Sequence, residues 1–179
     1  MALYPRLLFY VYPYFLLFCF LMLERGFLLR IYLDNCCYNR IFDDRSNIKN
    51  YLEREAVLII MQKAFEGEFE LVGSDILEIE ISKIHNPFKR KDISGIYHVL
   101  LSDTIFISTD IKERAIEIQK LSNIKAFDSL HLASAEFGAD ILITTDIKFL
   151  RNSQRMKTNI EVKNPIDFVM EVFACDTDD

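Results

Sequence analysis

The sequence predicts an α/β fold: a three-layer α/β/α sandwich around a parallel sheet of four to five strands. Short apolar segments alternate with longer helix-periodic ones. Strand–helix–strand order favours parallel pairing with right-handed crossovers. The stretch Asp140 to Thr145, DILITT, is apolar along its length rather than alternating, as in a strand covered on both faces. The chain has 179 residues, 51% of them hydrophobic, with only 5 Gly and 4 Pro. That composition suits one domain, rich in regular structure, with a sizeable core.

The elements follow in order. Leu28 to Leu33 is the first strand, closed by Asp34. Asp43, Asp44 and Ser46 offer turn and cap chemistry. Ile48, Leu52, Ile59 and Phe65 lie on a long helix ending near Gly67, and Glu70 to Gly73 is the second strand. Ser74 is positioned to cap a helix carrying Leu77, Ile81 and Ile84, with Glu80 at the border of that stripe. Asn86–Pro87 ends it. Phe88 to Leu101 is a helix weakened by Gly95, and Thr104 to Ser108 is the third strand. Thr109 can cap the next helix, with Ile111, Ala115, Ile118 and Leu121 on its inner face. Ala126, Leu130, Ala133 and Phe137 recur at helical spacing, and Gly138 suits a left-handed stop. The strand at 140–145, a fifth strand at 160–162 and a helix at 166–173 complete the domain, placed at 28–175.

The N-terminal 1–23 stands apart. Leu7 to Leu23 is an uninterrupted apolar or aromatic run, near the short end of a membrane span, with Pro13 at its middle. It reads as a membrane anchor, a segment packed on the domain, or non-native upstream sequence with Met22 as the start. A complete α/β pattern begins after it, so it is expected to be dispensable for the core. The expected location is cytoplasmic, or membrane-anchored if 7–23 spans a bilayer.

Charge and motif narrow the chemistry. A net charge of −6 argues against broad, charge-driven nucleic-acid binding. It leaves room for a nucleic-acid enzyme whose acidic site is neutralised by metal. Cys36 and Cys37 are adjacent, and no C-x-x-C exists for zinc, which favours a reduced chain with packing cysteines. G-x-S-x-G, G-x-x-x-x-G-K and G-x-G-x-x-G are all absent.

What remains is four acids. Asp34 follows the first strand, Asp146 follows the fourth, Asp128 opens a helix and Glu80 projects from another. The fold would gather them at the carboxyl edge of the sheet, where open parallel sheets bind ligands. Gathered carboxylates repel, and Mg²⁺ or Mn²⁺ is the simplest reason to keep them together. Singly, each has a plainer role as a helix-start charge, a cap or a solvated acid. His131 can share a face with Asp128 but reads as a packed residue. The run of Lys83, Lys89, Arg90 and Lys91 reads first as a solvated helix start and second as phosphate contacts.

Three stretches, IYLDNCCYNR at 31–40, SDILEIE at 74–80 and AFDSLHLASAEFGADILITTD at 126–146, resemble the PIN-domain family, and within it the VapC-like ribonucleases. The resemblance covers about residues 30 to 173. It implies an α/β/α sandwich and a Mg²⁺- or Mn²⁺-dependent endoribonuclease with Asp34, Glu80, Asp128 and Asp146 as metal-binding, catalytic acids. It also implies an RNA substrate met near Asn35, Thr144 and Thr145, and the toxin half of a toxin–antitoxin pair with a cognate antitoxin or a homodimeric partner. Arg40, close after Asp34, is a further phosphate-contact candidate by position. Members usually read D-T-N after the first strand; here Asp34-Asn35-Cys36 puts Cys in place of the Asn. A non-catalytic PIN-like module for protein or RNA contact is the alternative that this departure raises.

Overall fold

The computed structural model describes residues 28–173, so the readings of 1–23 lie outside the described residues. The chain forms β1 (Leu29–Leu33), α1 (Asn35–Arg40), α2 (Ile48–Phe65), β2 (Phe69–Ser74), α3 (Asp75–Ser82), α4 (Pro87–Leu100), β3 (Leu101–Ile105), α5 (Thr109–Leu121), α6 (Ala126–Gly138), β4 (Ile141–Ile143), α7 (Ile147–Gln154), β5 (Glu161–Lys163) and α8 (Pro165–Phe173). The five strands pair in parallel in the order β3-β2-β1-β4-β5. This is the PIN-like three-layer class that the sequence predicts.

Strand register assigns the two outer layers. Leu29 pairs with Phe69, whose ring meets Phe168 and Phe173 of α8 edge-on at 5.8 and 6.0 Å. Successive strand side chains alternate faces. Tyr32 therefore points the other way, towards His131 of α6, in register with Val72 and Leu142. Both faces are covered, so Ile31, Tyr32 and Leu33 are all fully buried, while Arg30 nearer the amino end pairs with Asp103. On the α6 side, Arg114 of α5 grips the buried Glu136 of α6 with Nε at 2.6 Å and a second nitrogen at 2.9 Å.

Caps are close to the expected residues but not always on them. Ser74 Oγ accepts from Leu77 N, as expected. Asn47, beyond the expected acids, caps α2, while Asp44 holds Ser46 in the preceding turn. Ser108 rather than Thr109 caps α5. The third strand begins earlier than its apolar pattern suggests, because α4 passes directly into a pairing of Leu101 with Leu71. Two short helices, α1 and α7, are added to the elements read from the sequence.

Gly138 is not a left-handed stop. Gly67, with φ 82°, is the positive-φ residue among those described. Gly138 instead leaves room for β3: a Cβ there would lie 2.6 Å from Ile105 Cγ1. At Gly95, in mid-helix, a Cβ would meet nothing within 4 Å. The two Gly→Ala variants are therefore expected to shift stability in opposite directions in urea. Gly95→Ala should gain about 0.5–1 kcal/mol from backbone entropy. Gly138→Ala should lose about 1 kcal/mol net, overpacking outweighing the same gain. Equal shifts in the two would contradict the close approach at Ile105.

Among the described residues no helix is long and apolar enough to cross a membrane.

Candidate metal centre

Strand order fixes where a site can form. The chain runs outward from β1 to β2 and β3, then returns to place β4 on the other side of β1. The carboxyl ends of β1 and β4 thus flank the topological switch point, the usual ligand crevice of open parallel sheets. Asp34 follows β1 there, its N–H donating to Ile143 O at 3.0 Å. Asp34 precedes α1 but makes no side-chain cap bond, so capping does not account for its carboxylate. Asp34 Oδ2 instead accepts from Thr144 Oγ1 at 2.7 Å and from Cys36 Sγ at 2.9 Å, and the residue is 7% exposed.

Glu80 reaches the same place from α3 and His131 from α6. His131 Nε2 lies 3.1 Å from Glu80 Oε2, and Nδ1 lies 2.7 Å from the Tyr32 hydroxyl, itself 2.6 Å from Ser74 Oγ. One ligand atom from each of Asp34, Glu80 and His131 falls within 4.8 Å of the others. The electrostatics are those of a site short of positive charge. Burial works to raise the Glu80 carboxyl, but His131, Asn35 and Lys83 outweigh it and hold it below its ordinary range. Burial works to lower the His131 imidazole, yet the bond to Glu80 and the charges of Asp34, Glu80 and Asp128 raise its proton affinity. Asp128, in the first turn of α6, is pushed up to about 6, by burial first and then by Asp34 and Asp146.

The structure thus gathers ligand atoms of Asp34, Glu80 and His131, while Asp128 and Asp146 stand outside that group, with the charges of Asp34 and Asp146 acting on Asp128. Asp146 also has the plainer role, capping α7 through Oδ1 to the N–H groups of Lys148 and Phe149. Thr144 ties both strand ends together, its hydroxyl accepting from Asp146 N while donating to Asp34. Asn35, half-buried, accepts from the Asn39 amide and helps hold the Glu80 carboxyl down. Thr145 is buried with its Oγ1 unpaired, and its N–H donates to Cys36 Sγ.

Several readings of single residues change. Arg40 has structural partners: its guanidinium meets the fully buried Glu53 at 3.1 Å, Asp43 at 2.6 Å and Asn50 at 3.0 Å. A carboxylate with no solvent needs a fixed cation, and Arg40 is spent on that need. Thr144 and Thr145 are both buried at the end of β4. His131, which reads as packing in the sequence, joins the acids; its i+3 spacing from Asp128 is the available signal. Of the basic run, Lys83 lies over the Phe127 ring at 4.7 Å and Lys89 over Phe42 at 5.7 Å.

No family model matches the chain, and no curated protein matches it. Several solved chains are similar in fold, two of which follow. VapBC2 from Rickettsia felis, bound to a DNA fragment from their promoter, aligns with TM-score 0.52 and 19% identity over 76% of this chain and 98% of that one. FitAcB from Neisseria gonorrhoeae aligns with TM-score 0.52 and 16% identity over 75% of this chain and 97% of that one. These findings correct the VapC-like assignment. The similar structures bear the names of assemblies, and likeness at such identity reaches the fold without assigning this chain to one component of either. Motif stretches this short, without a matching family model, do not carry membership.

Proposed function

We propose that the chain is a Mg²⁺- or Mn²⁺-dependent phosphodiester hydrolase that cleaves RNA. The carrying observation is the convergence of Asp34, Glu80 and His131 at the β1/β4 switch point, with Asp128 driven up to about 6 by burial and its acidic neighbours. Acids that raise one another's proton affinity make the apo fold less stable, and a divalent cation removes that penalty. The donor set fits such an ion: oxygen ligands from Asp34 and Glu80 with Asp128 and Asp146 beside them. A bound ion would supply an activated water and positive charge for the phosphate oxygens of an in-line displacement.

The chain's own residues hold the geometry. Thr144 and Cys36 fix the Asp34 carboxylate by two hydrogen bonds, and Asn35 and His131 fix Glu80. Asn35, half-buried beside Asp34, would touch substrate in this reading. The choice of RNA rests on the PIN-like fold. The toxin–antitoxin setting, with an antitoxin-type partner or a second copy of the chain, rests on the likeness to VapBC2 and FitAcB.

Incubation of the full chain with an RNA pool tests the reading. Cleavage should require Mn²⁺ or Mg²⁺, stop in EDTA and vanish in Asp34→Asn. A second reading, a non-catalytic PIN-like module, is favoured by Cys36, whose thiol occupies Asp34 and Thr144 where the family pattern has Asn. Normal Mn²⁺ binding with no cleavage would select it.

A further inference from the structure

We propose that His131 supplies a nitrogen ligand at this site, held in its liganding tautomer by Tyr32 and Ser74, so that the site takes Mn²⁺ in preference to Mg²⁺. The inference rests on the metal-centre reading above and adds a residue and a selectivity to it. A packed histidine needs hydrogen-bond partners, but it does not need to place a ring nitrogen among the oxygens of two carboxylates. The ligand atoms of Asp34, Glu80 and His131 lie within 4.8 Å of one another. Donors about 2.0–2.2 Å from a shared ion stand no more than about 4.4 Å apart. A shift of a few tenths of an ångström is enough.

The hydrogen-bond chain makes the ring usable in two ways. With the proton on Nε2, the ring donates to Glu80 and Nδ1 accepts from Tyr32 OH. With the proton on Nδ1, the ring donates to Tyr32 O, the Tyr32 hydroxyl donates to Ser74 Oγ at 2.6 Å, and the Nε2 lone pair faces the carboxylates. A lone pair facing two carboxylates is repulsive unless a cation stands between them. Beyond the ring proton, only the two hydroxyl hydrogens move between the states, because Tyr32 and Ser74 can each donate or accept. His131 is 1% exposed and Tyr32 0%, so bulk solvent does not compete for either partner. Histidine ligands are commonly oriented this way through the nitrogen that does not bind metal. An imidazole among carboxylates shifts preference from Mg²⁺, which takes oxygen, towards transition ions.

Electron spin-echo envelope spectroscopy of the untagged full chain loaded with Mn²⁺ reads this directly. Wild type should show ¹⁴N modulation from a coordinated imidazole, absent in His131→Gln. Tyr32→Phe keeps the buried ring and removes the hydroxyl. It should keep the ¹⁴N signal, bind Mn²⁺ about tenfold more weakly and change Mg²⁺ affinity less. Should His131→Gln fail to fold, the wild-type spectrum and Tyr32→Phe still decide. Mn²⁺ bound in an Asp34-dependent manner without ¹⁴N modulation overturns the histidine ligand and leaves the metal centre standing. Absence of any Asp34-dependent Mn²⁺ binding overturns both.

Discussion

In EDTA at pH 7, the Asp128→Asn variant is expected to unfold at a higher temperature than wild type while losing RNA cleavage altogether. The Asp128 carboxyl is pushed up to about 6, by burial and then by Asp34 and Asp146. An unfolded Asp releases its proton near pH 3.9. Between about pH 4 and 6 the folded state therefore binds more protons than the unfolded one. Wild-type stability falls as pH rises through that window and levels off above it. Asn carries no charge and lacks that slope, so the two proteins diverge between about pH 4 and 6 and keep a constant difference above that. Each pH unit separating the folded from the unfolded titration is worth about 1.4 kcal/mol, and solvent screening at this half-buried carboxylate cuts the plateau difference to on the order of 1 kcal/mol. Adding Mn²⁺ should reverse the order, because wild type gains more from binding. A helix-start charge behaves oppositely, losing about 0.3–1 kcal/mol on neutralisation. A variant less stable in EDTA that still cleaves would remove Asp128 from the site.

The second large effect is expected at Arg40→Met, a loss of about 3–5 kcal/mol in urea unfolding. Glu53 is 0% exposed, and its carboxylate lies among Arg40, Lys49 at 3.3 Å and the Asn164 amide at 2.8 Å. Removing Arg40 leaves a buried charge with one partly exposed lysine. Replacing both partners, Arg40→Met with Glu53→Leu, should recover much of the loss, because the desolvated charge goes with its partner. RNA affinity per folded molecule should be unchanged. An Arg40→Met protein as stable as wild type but weak in RNA binding would restore the phosphate-contact reading and dismiss the structural one.

The contrast between Asp34 and Arg40 shows what sequence reading reaches. Asp34 is legible because its position depends on local order: a strand ends, the chain turns, and a carboxylate stands at a sheet edge. The same logic places Asp128 in the first turn of α6 and Asp146 after β4. Arg40 lies on α1 close after Asp34, and that nearness makes it resemble a site residue. Its partner Glu53 lies on α2, and no local pattern announces that ion pair.

Packing settles what local order leaves open. Ala126 to Gly138 reads as the same amphipathic helix whether Gly138 ends it or makes room for Ile105, and the approach of β3 distinguishes the two. His131 shows the same division. Its spacing from Asp128 is visible in the chain, but the Tyr32 hydroxyl on β1, Ser74 at the end of β2 and Glu80 on α3 come from three separate elements. The succession of strands and helices, and the acids at the strand ends, can be read from the residues alone, because hydrophobic period and chain order are local properties. The β3-β2-β1-β4-β5 arrangement, the fixing of Asp34 by Thr144 and the company of His131 emerge only in the folded chain, because they depend on which distant segments the buried faces bring together.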